Sequence, residues 1–216
     1  TMATSFTDHF GVDKKAIRAT GALDPILDID TKLFIDPHLL KFSKVNEIRS
    51  GYADVTAHFN DVLHLLSAST RPGDVCWRAA EERLTFHEFE GTCLGYARKG
   101  TSGSGIGAGL RDKLLTTAKE IIDVGVKDPT LFKLLGLFAE DVGPDRISDM
   151  VVNIIGDKMV QYTRRVCASL GIKLEQSRVG SGVAMLPWNP FNTTPVLLVP
   201  RAVLRDLPMA DVWYDF

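Results

Sequence analysis

Apolar residues recur at three- and four-residue spacing from Asn46 onward. Ile48, Tyr52, Val55, Phe59, Val62 and Leu66 fall on one stripe, which predicts a helix with one buried face. Arg71-Pro72-Gly73-Asp74 ends it and caps a second helix running to about Arg83. Over residues 84–96 the helical period is lost, and one or two strands are expected. It returns over residues 106–123, with Leu110, Leu114, Ala118 and Ile121 on one face. Asp128-Pro129 sets an N-cap acid before a proline at the first helical position, so residues 131–138 are expected to form a helix that stops before Gly143-Pro144. The longest helix is expected from about Asp145 to Leu170, closed by Gly171, with Ile147, Val151 and Ile154 facing the core. Short strands are expected at residues 33–35, ending at the turn or helix-start signal Asp36-Pro37, and at residues 172–175, 183–186 and 195–199. Pro200 and a short helix follow. These elements add up to an α+β protein, predominantly helical with a small sheet, in a single domain over residues 3–216.

The composition narrows the classes. Hydrophobic residues make up 45% and charged residues 24%, enough apolar material for a core and too much for a disordered chain. A net charge of −2 exerts no global pull on nucleic acid or an anionic membrane, so a nucleic-acid contact would need a local basic patch. Cys76, Cys93 and Cys167 are odd in number and far apart, which suits reduced thiols in a cytoplasmic protein better than a disulfide framework or a CxxC metal site. No apolar run approaches the roughly 20 residues of a membrane span, so no membrane association is expected.

Four constellations could carry chemistry. Gly100 to Gly109 has glycines at alternate positions over its second half, with hydroxyl residues among them, ahead of a helix. Thr101, Ser102, Gly103, Ser104, Gly105 and Gly107 could converge backbone N–H groups on a phosphate-containing ligand. The order matches neither a triphosphate loop nor a dinucleotide fingerprint, and a tight surface turn is the rival reading. Asp145, Asp149 and Asn153 lie at i, i+4 and i+8 on the long helix. Asp145 and Asp149 are the candidate ligands of a hard divalent cation, Mg²⁺ or Mn²⁺; a solvated helix face is the alternative. Asp24, Asp28, Asp30 and Asp36 punctuate two apolar runs, where acids serve caps and turns or supply a functional carboxylate. His87, Glu88 and Glu90 stand just before the glycine segment. No zinc signature or nucleophile elbow occurs.

Taken together, Asp30-Thr-Lys-Leu-Phe-Ile-Asp-Pro37, Leu94-Gly-Tyr-Ala with Gly103-Ser-Gly-Ile-Gly107, Gly143-Pro-Asp-Arg-Ile-Ser-Asp-Met150 with Asn153-Ile-Ile155 and Tyr162-Thr163, and Leu197-Leu-Val-Pro-Arg201 resemble an uncharacterised bacterial family associated with genome-defence islands. In its longer relatives the resemblance implies that this region precedes a restriction-endonuclease-like nuclease domain. The acid-x-lysine motif of such a domain would lie beyond Phe216, and Lys173-Leu174-Glu175 has the wrong order to replace it. Two functions follow. The first is a sensing or partner-binding module of an antiviral (anti-phage) defence protein, whose glycine segment contacts a protein partner or a phosphate-containing ligand. The second is a divalent-metal-dependent nuclease or phosphodiesterase using Asp36, Glu90, Asp145 and Asp149, which requires those carboxylates to converge. The first has the edge, because no nucleophile motif is present and the charge is near neutral.

Overall fold

The computed structural model describes residues 3–87, 89–95, 108–125 and 144–207. Two short helices open the chain. α1 (Phe6–Phe10) is capped by the Ser5 hydroxyl, and α2 (Lys14–Thr20) by the Asp13 carboxylate; both end on left-handed glycines, Gly11 and Gly21. The aspartates that follow tie this segment down. Asp24 accepts bonds from the Thr7 amide (2.9 Å) and hydroxyl (2.6 Å), and Asp28 accepts one from the Thr4 amide (2.9 Å).

The predicted strand forms as β1 (Leu33–Ile35), and Asp36-Pro37 starts α3 (Pro37–Leu40), whose first turn Asp36 caps. The predicted stripe is split between a 3-10 turn, Asn46–Ile48, and α4 (Gly51–Ala68); Ile48, Val55, Phe59, Val62 and Leu66 are all buried. α5 (Val75–Arg83) follows its Asp74 cap, and α6 (Ala108–Asp123) buries Leu114, Leu115, Ala118 and Ile122. The long helix, α7 (Pro144–Leu170), bends at Ile155 (φ −111°, ψ 19°), immediately before Gly156. Gly171 closes it with φ +67°. The helix expected at residues 131–138 lies outside the described residues.

The strands after α7 are β2 (Glu175–Val179), β3 (Gly182–Leu186), β4 (Trp188–Asn189), β5 (Thr194–Pro195) and β6 (Leu204–Asp206). They pair in antiparallel two-stranded sheets: β2 with β3, β4 with β5, and β6 with β1. The fold is therefore α+β, mainly helical, with small sheets.

Two expectations are corrected. Among the described residues of 84–95 there is no strand; they hold a 3-10 turn, Glu90–Thr92, and one isolated bridge between Thr31 and Leu94. The turn fits because position 91 is glycine. A Cβ there would sit 2.3 Å from the Phe89 ring and 2.4 Å from the Pro195 carbonyl oxygen. Residues 196–199 are extended but join no ladder, since their backbone groups bond to separate partners. The Leu197 amide donates to Gly91 O and the Leu198 amide to Thr163 Oγ1 (both 2.9 Å), while Val199 O accepts from Leu23 N (2.9 Å).

That segment lies between the two hydrophobic clusters. Its alternation sends Leu197 and Val199 into the larger one, with α4, α5, α6 and the first half of α7. Val196 and Leu198 enter the smaller one, with Phe6, Ile17, Leu27, Tyr162 and Val166.

Candidate functional site at the bend of the long helix

The polar residues of α7 hold neighbouring backbone. Ser148 is buried, and its Oγ accepts the Ile35 amide at 2.7 Å. Thr163 Oγ1 donates to Met159 O (2.8 Å) while accepting the Leu198 amide. Asn153 takes both backbone groups of His87: its Oδ1 accepts the amide at 3.3 Å and its Nδ2 donates to the carbonyl at 2.8 Å. One turn earlier, Asp149 Oδ1 accepts the Phe89 amide at 3.4 Å. The predicted Asp149–Asn153 stripe thus pins the 87–89 segment onto the helix.

Asp36 is also engaged. One carboxylate oxygen accepts the His38 amide at 2.8 Å, and the other is ion-paired with Arg205. Asp36 and Asp149 therefore serve different parts of the frame, one at the β1–β6 sheet and one at the 87–89 segment. The side chains of Glu88, Glu90 and Asp145 lie outside the described residues, as does the whole of Thr101, Ser102, Gly103, Ser104, Gly105 and Gly107. Among the described residues, no group of three or more His, Cys, Asp or Glu side chains is placed to hold a metal ion.

Holding the 87–89 segment against the bend leaves a cleft of about 780 Å³. Its inner wall is apolar, made by Val152, Ile154, Val179, Leu197 and Phe89. Its rim is polar, made by His87, Asn153 and Asp157, and the β2–β3 turn Gly180–Ser181–Gly182 closes one end. The size is that of a ligand-binding pocket. Gly180 has φ +57°, and this left-handed residue makes the tight hairpin turn.

A smaller cleft of about 340 Å³ adjoins it, with Ile154 and Asp157 common to both. Its other wall is the Asp54, His58, Asp61 face of α4. The charges there are largely matched. Lys158 pairs with Asp54 and also bonds Ser50, and Arg83 pairs with Asp61 at 2.9 Å. The His58 ring contacts Arg83 O at 2.7 Å, and burial pulls its pKa below the ordinary 6.5.

Among the described residues the cysteines form no disulfide. Cys167 is buried, and burial pushes its thiol up to about 12, which disfavours the thiolate. No described helix is long and apolar enough to cross a membrane.

A family model described as a domain of unknown function, DUF8370, matches residues 11–211. The chain belongs to that family. No curated protein and no solved structure matches it. The match covers every element that builds the cleft in this DUF8370 chain, from the 87–89 segment through α7 to the β2–β3 turn.

Sequence reasoning named Asp149, Asn153 and His87 but missed Asp157, Gly156 and the Gly180–Gly182 turn. Asp157 was within reach, because it continues the four-residue series Asp145, Asp149, Asn153. The turn was not, because only the fold brings it beside α7.

Proposed function

We propose that this DUF8370 chain is a sensing or partner-binding module of a bacterial antiviral defence protein, acting in the cytoplasm, with the cleft at the α7 bend as its binding site. One observation carries the reading. Asp149 and Asn153, on the polar stripe of α7, hold the 87–89 backbone, and that bracing forms a cleft with an apolar wall and a polar rim. Such a cleft is suited to holding a ligand or a partner's side chain. Cysteines that form no disulfide among the described residues agree with a reducing compartment. The glycine segment, from Thr101 to Gly107, remains a second contact for a protein partner or a phosphate-containing ligand.

The test has two arms. In cells carrying the complete system, Ser181→Trp should place an indole at the cleft mouth and abolish protection against phage while the chain stays folded. Gly105→Val or Gly107→Val should weaken protection as well. With purified chain, incubation with DNA or RNA and Mg²⁺ or Mn²⁺ should give no cleavage. Metal-dependent cleavage that disappears in Asp149→Ala would replace the binding reading with the nuclease or phosphodiesterase one.

A further inference from the structure

We infer that the cleft at the α7 bend receives an arginine side chain from a protein partner, with Asp157 pairing to its guanidinium. The inference rests on the binding reading above and specifies what is bound. Charge is the first argument. Among the described lining residues Asp157 is the one with a carboxylate, and none is a lysine or arginine. A phosphate or other anion would meet a repulsive site there, and a cation an attractive one. The acids of the adjoining cleft differ, because Asp54 and Asp61 already have Lys158 and Arg83. Asp157 is exposed and has no ion-pair partner among the described residues.

Shape and polarity are the second argument. A bare ammonium or metal ion would have nothing to gain from the apolar wall of Val152, Val179 and Leu197. A cation on a methylene stem covers such a wall while its head stays at the rim. The guanidinium suits this place better than an ammonium: it is planar, more weakly hydrated and pairs with a carboxylate through two parallel bonds. The volume exceeds that of one side chain, which leaves room for the flanking residues of a peptide. The Gly180–Ser181–Gly182 turn offers backbone groups to it.

The experiment titrates the ¹⁵N-labelled chain with the peptide acetyl-Gly-Leu-Arg-Leu-Gly-amide and with the same peptide carrying citrulline, which keeps the shape and removes the charge. Saturable shifts of the amides at 179–182 are expected with the arginine peptide. The dissociation constant should rise at least tenfold with citrulline, and equally in Asp157→Asn. Equal binding of both peptides, shifts centred on Ala57 and Asp61, or no saturable shift would overturn the proposal. Agmatine binding as tightly as the peptide would overturn the protein-partner part, because a small free guanidinium compound would then suffice. Loss of phage protection in Ser181→Trp alongside no arginine binding would sink this inference alone and leave the binding module standing.

Discussion

Asn153 grips His87 as a neighbouring strand would, accepting its amide at 3.3 Å and donating to its carbonyl at 2.8 Å. A side-chain amide carries an acceptor and a donor on separate atoms, spaced to meet the N–H and C=O of one residue. Asn153→Ala should therefore cost about 1 kcal/mol of stability. It should also speed hydrogen exchange at His87 and Phe89 far more than in α4. Unchanged exchange at those two amides would show that the segment is held by something else.

Thr163 makes the corresponding contact deep in the protein. Thr163→Val keeps the shape but strands the buried Leu198 amide, and should destabilise by about 1–3 kcal/mol in urea unfolding. Thr163→Ser keeps the acceptor and should lose less than half as much. If the two variants lose equal stability, the methyl group matters and the hydrogen bond does not.

Tyr162 predicts the opposite sign. Its ring is fully buried, its hydroxyl has no hydrogen-bond partner among the described residues, and burial pushes its pKa up to about 12. Tyr162→Phe removes a desolvated hydroxyl and should be neutral or stabilising by up to about 1 kcal/mol. A clear loss of stability on chemical unfolding would mean that the hydroxyl is bonded in solution.

Glu47 governs part of the acid response. Its ion pair with Arg165, whose second guanidinium nitrogen lies 3.1 Å from Oε2, holds its pKa below the ordinary 4.5. The unfolded chain binds the proton more readily, so the stabilisation is fully present above the unfolded pKa. It is lost as the pH falls through the lower, folded pKa. Between pH 6 and pH 3 the urea midpoint of Glu47→Gln should fall less steeply than that of the native chain. Parallel curves would remove Glu47 from the acid response.

Much of the frame was legible in the sequence because its signals are local. The Val55–Phe59–Val62–Leu66 period, the Asp74 cap and the Gly171 stop each act within a few residues, and each element formed where expected. Residues 196–199 depart from the expected strand for a non-local reason. Apolar alternation shows that a segment is extended between two apolar surroundings but not which groups take its amides, and here these are Gly91 and Thr163. The stripe on α7 was legible as geometry and not as purpose. Asp149 and Asn153 do share a face, but whether that face meets a metal, water or backbone depends on residues 60 or more positions away.

The Ser148–Ile35 bond has a consequence for the open edge of β1. Lys32 O and Asp36 N point toward the chain segment carrying β6, so the Ile35 amide points away from it, along the open side of β1. An unclaimed amide on an open strand edge invites another extended chain to add itself. By occupying that amide with a hydroxyl, α7 ends the sheet at two strands without a third. Ser148 thus keeps that amide paired inside the protein, under the cover that α7 gives the edge of β1.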